Sequence, residues 1–195
     1  MSQETKTTAR LPWLFAMALL ALCGIAQAGP KEDVTAAMQK LLAASSWHAT
    51  MHVKGPQAMS NALDFQAPDR FRITLQGIGT QYIIGDTMVM TMQGRTMRVP
   101  LQKDMLGQYR DPARLREHNA TMTVQALGKD QVAGKPAAKY RVRNPKDGDL
   151  DVLMWIGGNG YPVQIQVDGK ANGQASTTVI RYSRFNDPAI KVSAP

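Results

Sequence analysis

Leu63-Asp-Phe65-Gln-Ala-Pro68-Asp-Arg70-Phe71-Arg-Ile73-Thr-Leu75 is where the fold of this chain is read most directly. Leu63 and Phe65 flank a polar residue, a Pro68-Asp69 pair interrupts, and Phe71, Ile73 and Leu75 then alternate with Arg70, Arg72 and Thr74. A period of two puts the apolar members on one face of a strand, and proline followed by aspartate suits the turn between two strands. The stretch predicts an antiparallel hairpin with one buried face.

The same period continues on both sides of it. Upstream, Ala49, Met51 and Val53 alternate with His48, Thr50 and His52. Downstream, residues 82–84 run into Gly85-Asp86 and then Met88, Met90 and Met92, after which Gln93-Gly94 turns the chain into Met97 and Val99. Further strands are predicted over 122–127, 139–143, 150–156, 163–167 and 177–182, punctuated by Gly134-Lys-Pro, Pro145-Lys-Asp-Gly, Gly157-Gly-Asn-Gly and Gly169-Lys-Ala-Asn-Gly. Short strands with glycine-containing turns indicate a meander. Residues 150–156 are apolar on both faces, with Met154 on one and Trp155 on the other, which assigns that strand to the sheet centre.

Two helices complete the pattern. Between Glu32 and Ser46, Val34, Met38, Leu41 and Leu42 fall at i, i+4, i+7 and i+8, one apolar stripe, with Pro30 just before and Glu32 and Asp33 at the positive end. A short middle helix is expected from Pro112, with Asp111 as its cap. The fold class is α+β: a single domain in which a curved antiparallel sheet wraps around an N-terminal and a short middle helix.

The N-terminus assigns the compartment. Lys6 and Arg10 precede an almost wholly apolar run from Leu11 to Ala28, which closes on Ala26-Gln27-Ala28. This is the layout of a cleaved secretory signal peptide over residues 1–28, leaving residues 29–195 as the mature domain. A retained membrane anchor is the rival reading, and Cys23 raises lipidation, although bulky Leu22 precedes it. Cys23 is the chain's one cysteine, so the mature domain has no disulfide, thiol nucleophile or Cys-ligated zinc. The net charge of +8 becomes +7 after cleavage, and the basic residues are spread, as on a solvated surface. Periplasmic residence in a Gram-negative envelope is the expectation.

Ten of the twelve methionines lie in the mature domain. Met88, Met90 and Met92 project from one strand face, and flexible, polarisable thioethers suit a wall that adapts to guests of varied shape. An apolar pocket for acyl chains and a methionine-rich core both fit that pattern. Copper handling is a third reading, because thioether sulfur favours Cu(I) and His48 and His52 share a face. Same-face methionines stand roughly 6.5–7 Å apart along a strand, however, too far for three to grip one ion. Arg70/Arg72 and Lys139/Arg141/Arg143 read as solvated strand faces. No G-x-S-x-G, H-E-x-x-H, phosphate loop or G-x-G-x-x-G occurs, so the protein is not expected to be an enzyme, and no cofactor or metal is assigned. Nucleic acid is not an expected partner.

In order along the chain, these features resemble the outer-membrane lipoprotein carrier (LolA-like) superfamily. The matching pieces are the leader, the N-terminal helix and a strand near Trp47, followed by Phe65-Gln-Ala-Pro68-Asp-Arg-Phe71-Arg72, similar to the family's F-x-x-P-x-x-F/Y-R strand pair. After it come the Tyr82-Ile-Ile-Gly85-Asp86-Thr-Met-Val-Met hairpin and the strand and tail from Tyr182 to Pro195. The resemblance implies an unclosed β-barrel over helices, with an apolar cavity for lipid or lipoprotein acyl chains. On that reading Met88, Met90, Met92, Phe65, Phe71, Met154 and Trp155 line the cavity, and Arg72, at the family's strand arginine, holds a lid or headgroup. It implies a monomeric carrier with acyl chains as cargo and envelope membrane proteins as partners, or a regulatory or sensory module of the same fold. The methionine-rich hairpin departs from the family and puts the identity of the cargo in doubt.

Overall fold

The structure, a computed structural model, describes residues 29–56, 58–92, 95–102, 112–148 and 150–195. The leader and Cys23, the Gln93-Gly94 turn, the Asp111 cap and the side chain of Met92 lie outside the described residues.

The first helix, α1 (Pro30–Ala43), starts on a proline with Glu32 and Asp33 in its first turn, where the helix dipole favours acidic groups. It covers the whole apolar stripe and stops at Ala43, short of Ser46, where the C-terminal tail captures the next residues. Ser45 N donates to Asn186 Oδ1 (2.8 Å), Asn186 N to Ser46 O (2.8 Å), and Ser46 Oγ to Asp187 O (2.9 Å). Those bonds hold Ser45 and Ser46 out of the helix.

Eleven strands follow among the described residues: β1 (Ser46–Lys54), β2 (Met59–Gln66), β3 (Arg70–Leu75), β4 (Gly79–Ile84), β5 (Thr87–Met92), β6 (Arg95–Pro100), then, after helix α2 (Pro112–Thr121), β7 (Thr123–Val132), β8 (Lys135–Arg143), β9 (Asp151–Gly157), β10 (Pro162–Ala171) and β11 (Gln174–Ser183). They form one antiparallel sheet in the order β6-β5-β4-β3-β2-β1-β11-β10-β9-β8-β7. First and last strands pair at its middle, from His48 opposite Ser183 to Lys54 opposite Thr177. Edge strands β6 and β7 do not meet, so the barrel stays unclosed, as the family resemblance implies.

Hairpins extend further than the punctuation implied. β10 continues to Ala171 and turns on Asn172-Gly173 alone, both left-handed (φ 53° and 78°), the two-residue turn whose twist matches the flanking strands. β7 continues past Leu127 with no apolar alternation to announce it, through a bulge between Ala126 and Gly128.

The inner face of the sheet is the one that carries α1. Val34 packs with Met122, Tyr140, Val142 and Met154, with Met38 and Ile165 against the same cluster. Tyr140 Oη donates to Asp33 Oδ2 (2.8 Å), fixing the helix to β8. Burying side chains such as Val34 and Leu41 contributes roughly 1.5–3 kcal/mol each, enough to seat the helix. The helix lies over β7, β9 and β10, whereas α2 leans on the 3-10 turn at Pro145–Asp147.

The assignment of residues 150–156 to the sheet centre is corrected. β9 stands third from the β7 edge, and β1 occupies the centre. On its outer face Trp155 is nonetheless buried, at 5 % exposed, with the Lys139 ammonium 4.9 Å from its ring centroid. A long side chain on the neighbouring strand covers what a second layer would otherwise cover.

Candidate ligand-binding face

Register converts the alternation in the sequence into continuous rows. Trp47 faces Phe65, Phe65 faces Phe71, Phe71 faces Ile83, Ile83 faces Met88, and Met88 faces Val99. Six strands at about 4.8 Å spacing make this row roughly 24 Å long. A second row runs from Tyr182 through Ala49, Leu63, Ile73 and Gln81 to Met90 and Met97. A third ties these strands to the helix side, running Tyr140, Met154, Ile165, Ile180, Met51 and Asn61. All three therefore lie on the inner face.

Cover differs along the rows. At the Trp47 end an aromatic cluster packs tightly, with ring centroids 5.3 Å apart for Trp47 and Phe65, 5.0 Å for Phe65 and Phe71, and 5.5 Å for Trp47 and Tyr182. The tail crosses this end: Val192 N donates to Gln66 Oε1 (2.8 Å), and Arg70 Nη1 donates to Val192 O (3.3 Å). Ile190 and Val192 are buried there, and burial pushes the Tyr182 hydroxyl up in pKa. Toward the β6 edge the wall opens. Phe71, Ile73, Met88 and Met90 are half-buried, while Met97 and Val99 are each 43 % exposed. Met59, opposite Val53 at the other end of β2, and Ile78, in the β3–β4 turn, are exposed as well. Apolar side chains left exposed along one strand face, as Met97 and Val99 are, mark a candidate contact or ligand face.

The residues singled out from sequence separate into three groups. Phe65, Phe71, Met88 and Met90 share the inner face; Phe65 is fully buried at its closed end. Met154 shares that face too, but under α1, in the structural core. Trp155 and Arg72 stand on the outer face, and the structure does not bring them to the apolar wall. Trp155 Nε1 donates to Asp130 Oδ2 (2.9 Å), and that bond, with Lys139 nearby, holds the Asp130 carboxyl below its usual range. Arg72 donates through Nε (3.0 Å) and Nη2 (2.6 Å) to Asp64 Oδ2, while His48 Nδ1 lies 2.8 Å from Asp64 Oδ1. Burial raises the Asp64 pKa, and the His48 and Arg72 bonds outweigh it, leaving the carboxyl below the ordinary value. A guanidinium engaged in this way stands on the face opposite the apolar wall.

Trp47, Leu63, Ile73, Ile83, Met97 and Val99 belong to the wall and were not singled out. Their alternation was visible; which strands stand side by side was not. The methionines and histidines also part company, since His48 and His52 share the outer face and Met51, Met88 and Met90 the inner. Among the described residues there is no cluster of three His, Cys, Asp or Glu side chains that would hold a metal, and no helix long and apolar enough to cross a membrane.

No family's sequence model matches this chain, and no curated protein does. Solved structures do. The Mycobacterium tuberculosis lipoprotein LppX superposes with a TM-score of 0.64 at 14 % identity, over 84 % of this chain and 97 % of that one. LprF from Mycobacterium bovis gives 0.58 at 12 %, over 85 % and 96 %. At such identities the likeness is one of fold. The unclosed sheet over helices that the LolA-like resemblance implied is the fold this chain has.

Proposed function

We propose, for a chain with the fold of LppX and LprF, that it is a periplasmic binding or carrier protein sequestering acyl chains of lipids or lipoproteins for envelope trafficking. The observation that supports this is the half-exposed apolar wall of β1 to β6, from the sealed aromatic end at Trp47 to Met97 and Val99 at the open edge. Each CH₂ left in water costs about 0.8 kcal/mol, so a dry wall roughly 24 Å long offers a large driving force. Its unbranched Met88 and Met90 side chains adapt to the guest without demanding one shape. Binding, not bond-breaking, is the whole of the proposed activity, with membrane-bound donors and acceptors as transient partners.

Native mass spectrometry of protein recovered from the envelope tests this reading, together with displacement of a fluorescent fatty acid from the stripped protein. Co-purifying lipid and saturable displacement are expected. A lipid-free mass with no fatty-acid binding refutes the reading; a stoichiometric protein partner in that lipid-free state favours a sensory module instead.

A further inference from the structure

A hollow of about 590 Å³ lies at the end of the molecule where β11 finishes. Its walls are the tip of the β7–β8 hairpin (Val132, Lys135, Pro136), the β9–β10 turn at Gly157 and Asn159, and the run 182–185. Thr50 and Arg181 are register partners on the outer face, and both line it, while Tyr182 borders it from the aromatic end of the inner face. Gly157 is required for its shape: a Cβ there would come within 2.9 Å of Val163 Cγ1.

Three cations, Lys135, Arg181 and Arg184, line this hollow, and no Asp or Glu is among its lining residues. Arg181 Nε donates to the neutral amide oxygen of Gln164 (2.8 Å), and Arg181 makes no ion pair among the described residues. Lys135 makes no ion pair among the described residues, whereas Arg184 is held by Asp187 (2.8 Å). Arg184 and Asn186 both adopt left-handed backbone (φ 54° and 55°), a conformation non-glycine residues seldom take. Asn186 is tied in place by its bonds to Ser45 and Tyr161. Beside the cations stand Val132, Val163 and Phe185. Guanidinium and ammonium groups next to apolar side chains suit a tetrahedral oxyanion that carries an apolar stem.

We propose that this hollow is a second ligand site, which takes the phosphate head of an anionic amphiphile independently of the inner face. Amide NMR of the full mature chain tests it, with dodecyl phosphate, inorganic phosphate and dodecyl maltoside as probes. Dodecyl phosphate is expected to shift the amides of Lys135, Gly157 and residues 181–185, and to bind about tenfold more tightly than inorganic phosphate. Arg181→Glu and Lys135→Glu should each weaken that site about tenfold, while Arg181→Lys retains most of it and inner-face shifts persist in all three. The proposal is overturned if dodecyl phosphate perturbs the inner face alone, if dodecyl maltoside shifts the same outer amides, or if inorganic phosphate binds as tightly. Unchanged affinity in a folded Arg181→Glu protein overturns it equally.

Discussion

Arg72 and Asp64 stand directly opposite each other on β3 and β2, and the guanidinium donates two hydrogen bonds to one carboxylate oxygen. Asp64 is 8 % exposed, whereas the Arg72 side chain is partly open to solvent, so the carboxylate is the buried partner of the pair. Its folded pKa lies below the ordinary aspartate value near 3.8, which fixes the sign of its pH effect. The stability it contributes is fully present above the unfolded-state value near 3.8 and is lost as pH falls through the depressed folded value. Asp64→Asn should cost about 1–3 kcal/mol at neutral pH and less below pH 3, read from urea midpoints at both. An equal cost at both pH values would show that the carboxylate charge is immaterial.

Arg72→Gln and Trp155→Phe act on the outer face. Each is expected to destabilise by about 1 kcal/mol through its lost hydrogen bonds, and to leave fatty-acid affinity unchanged. A fall in affinity in either variant, at intact secondary structure by circular dichroism, would contradict the facing assignment.

Met90→Asp puts a charge on the acyl wall beside Met97 and Gln81. Met90 is half-buried, so folding should survive, while fatty-acid affinity falls at least about tenfold. Displacement titration reads this directly, and unchanged affinity would remove the wall from the proposed site.

Tyr140 donates to Asp33, and burial together with that carboxylate pushes its pKa up to about 12. Its contribution is whole below the unfolded value near 10 and is lost as pH rises from there through about 12. Tyr140→Phe should cost about 0.5–1.5 kcal/mol and remove a phenolate transition near pH 12 from an ultraviolet titration. Persistence of that transition would assign it elsewhere.

Val192 is 1 % exposed where the tail crosses Gln66 and Arg70. Val192→Ala is expected to cost about 2 kcal/mol, with a matching fall in Tm by calorimetry. A change within a few tenths would mean that the tail does not seal the aromatic end.

Local chemistry decided what the sequence could determine. Side-chain alternation in 63–75 and 88–92, glycine turns and the Val34/Met38/Leu41 stripe gave strands, hairpins and a covering helix, because each rests on neighbours a few residues apart. They also placed Phe65, Phe71, Met88 and Met90 as candidates for one wall. Tertiary structure alone decided which strands adjoin and which face is in. Pairing of β1 with β11 joins residues more than 120 positions apart, and it set Trp47 against Tyr182. The same pairing order moved β9 off the centre and left α1 over one side of the sheet only. Arg72 and Trp155 fell on the outer face for that reason. A period of two separates two faces, but only the position of the helix says which of them is covered.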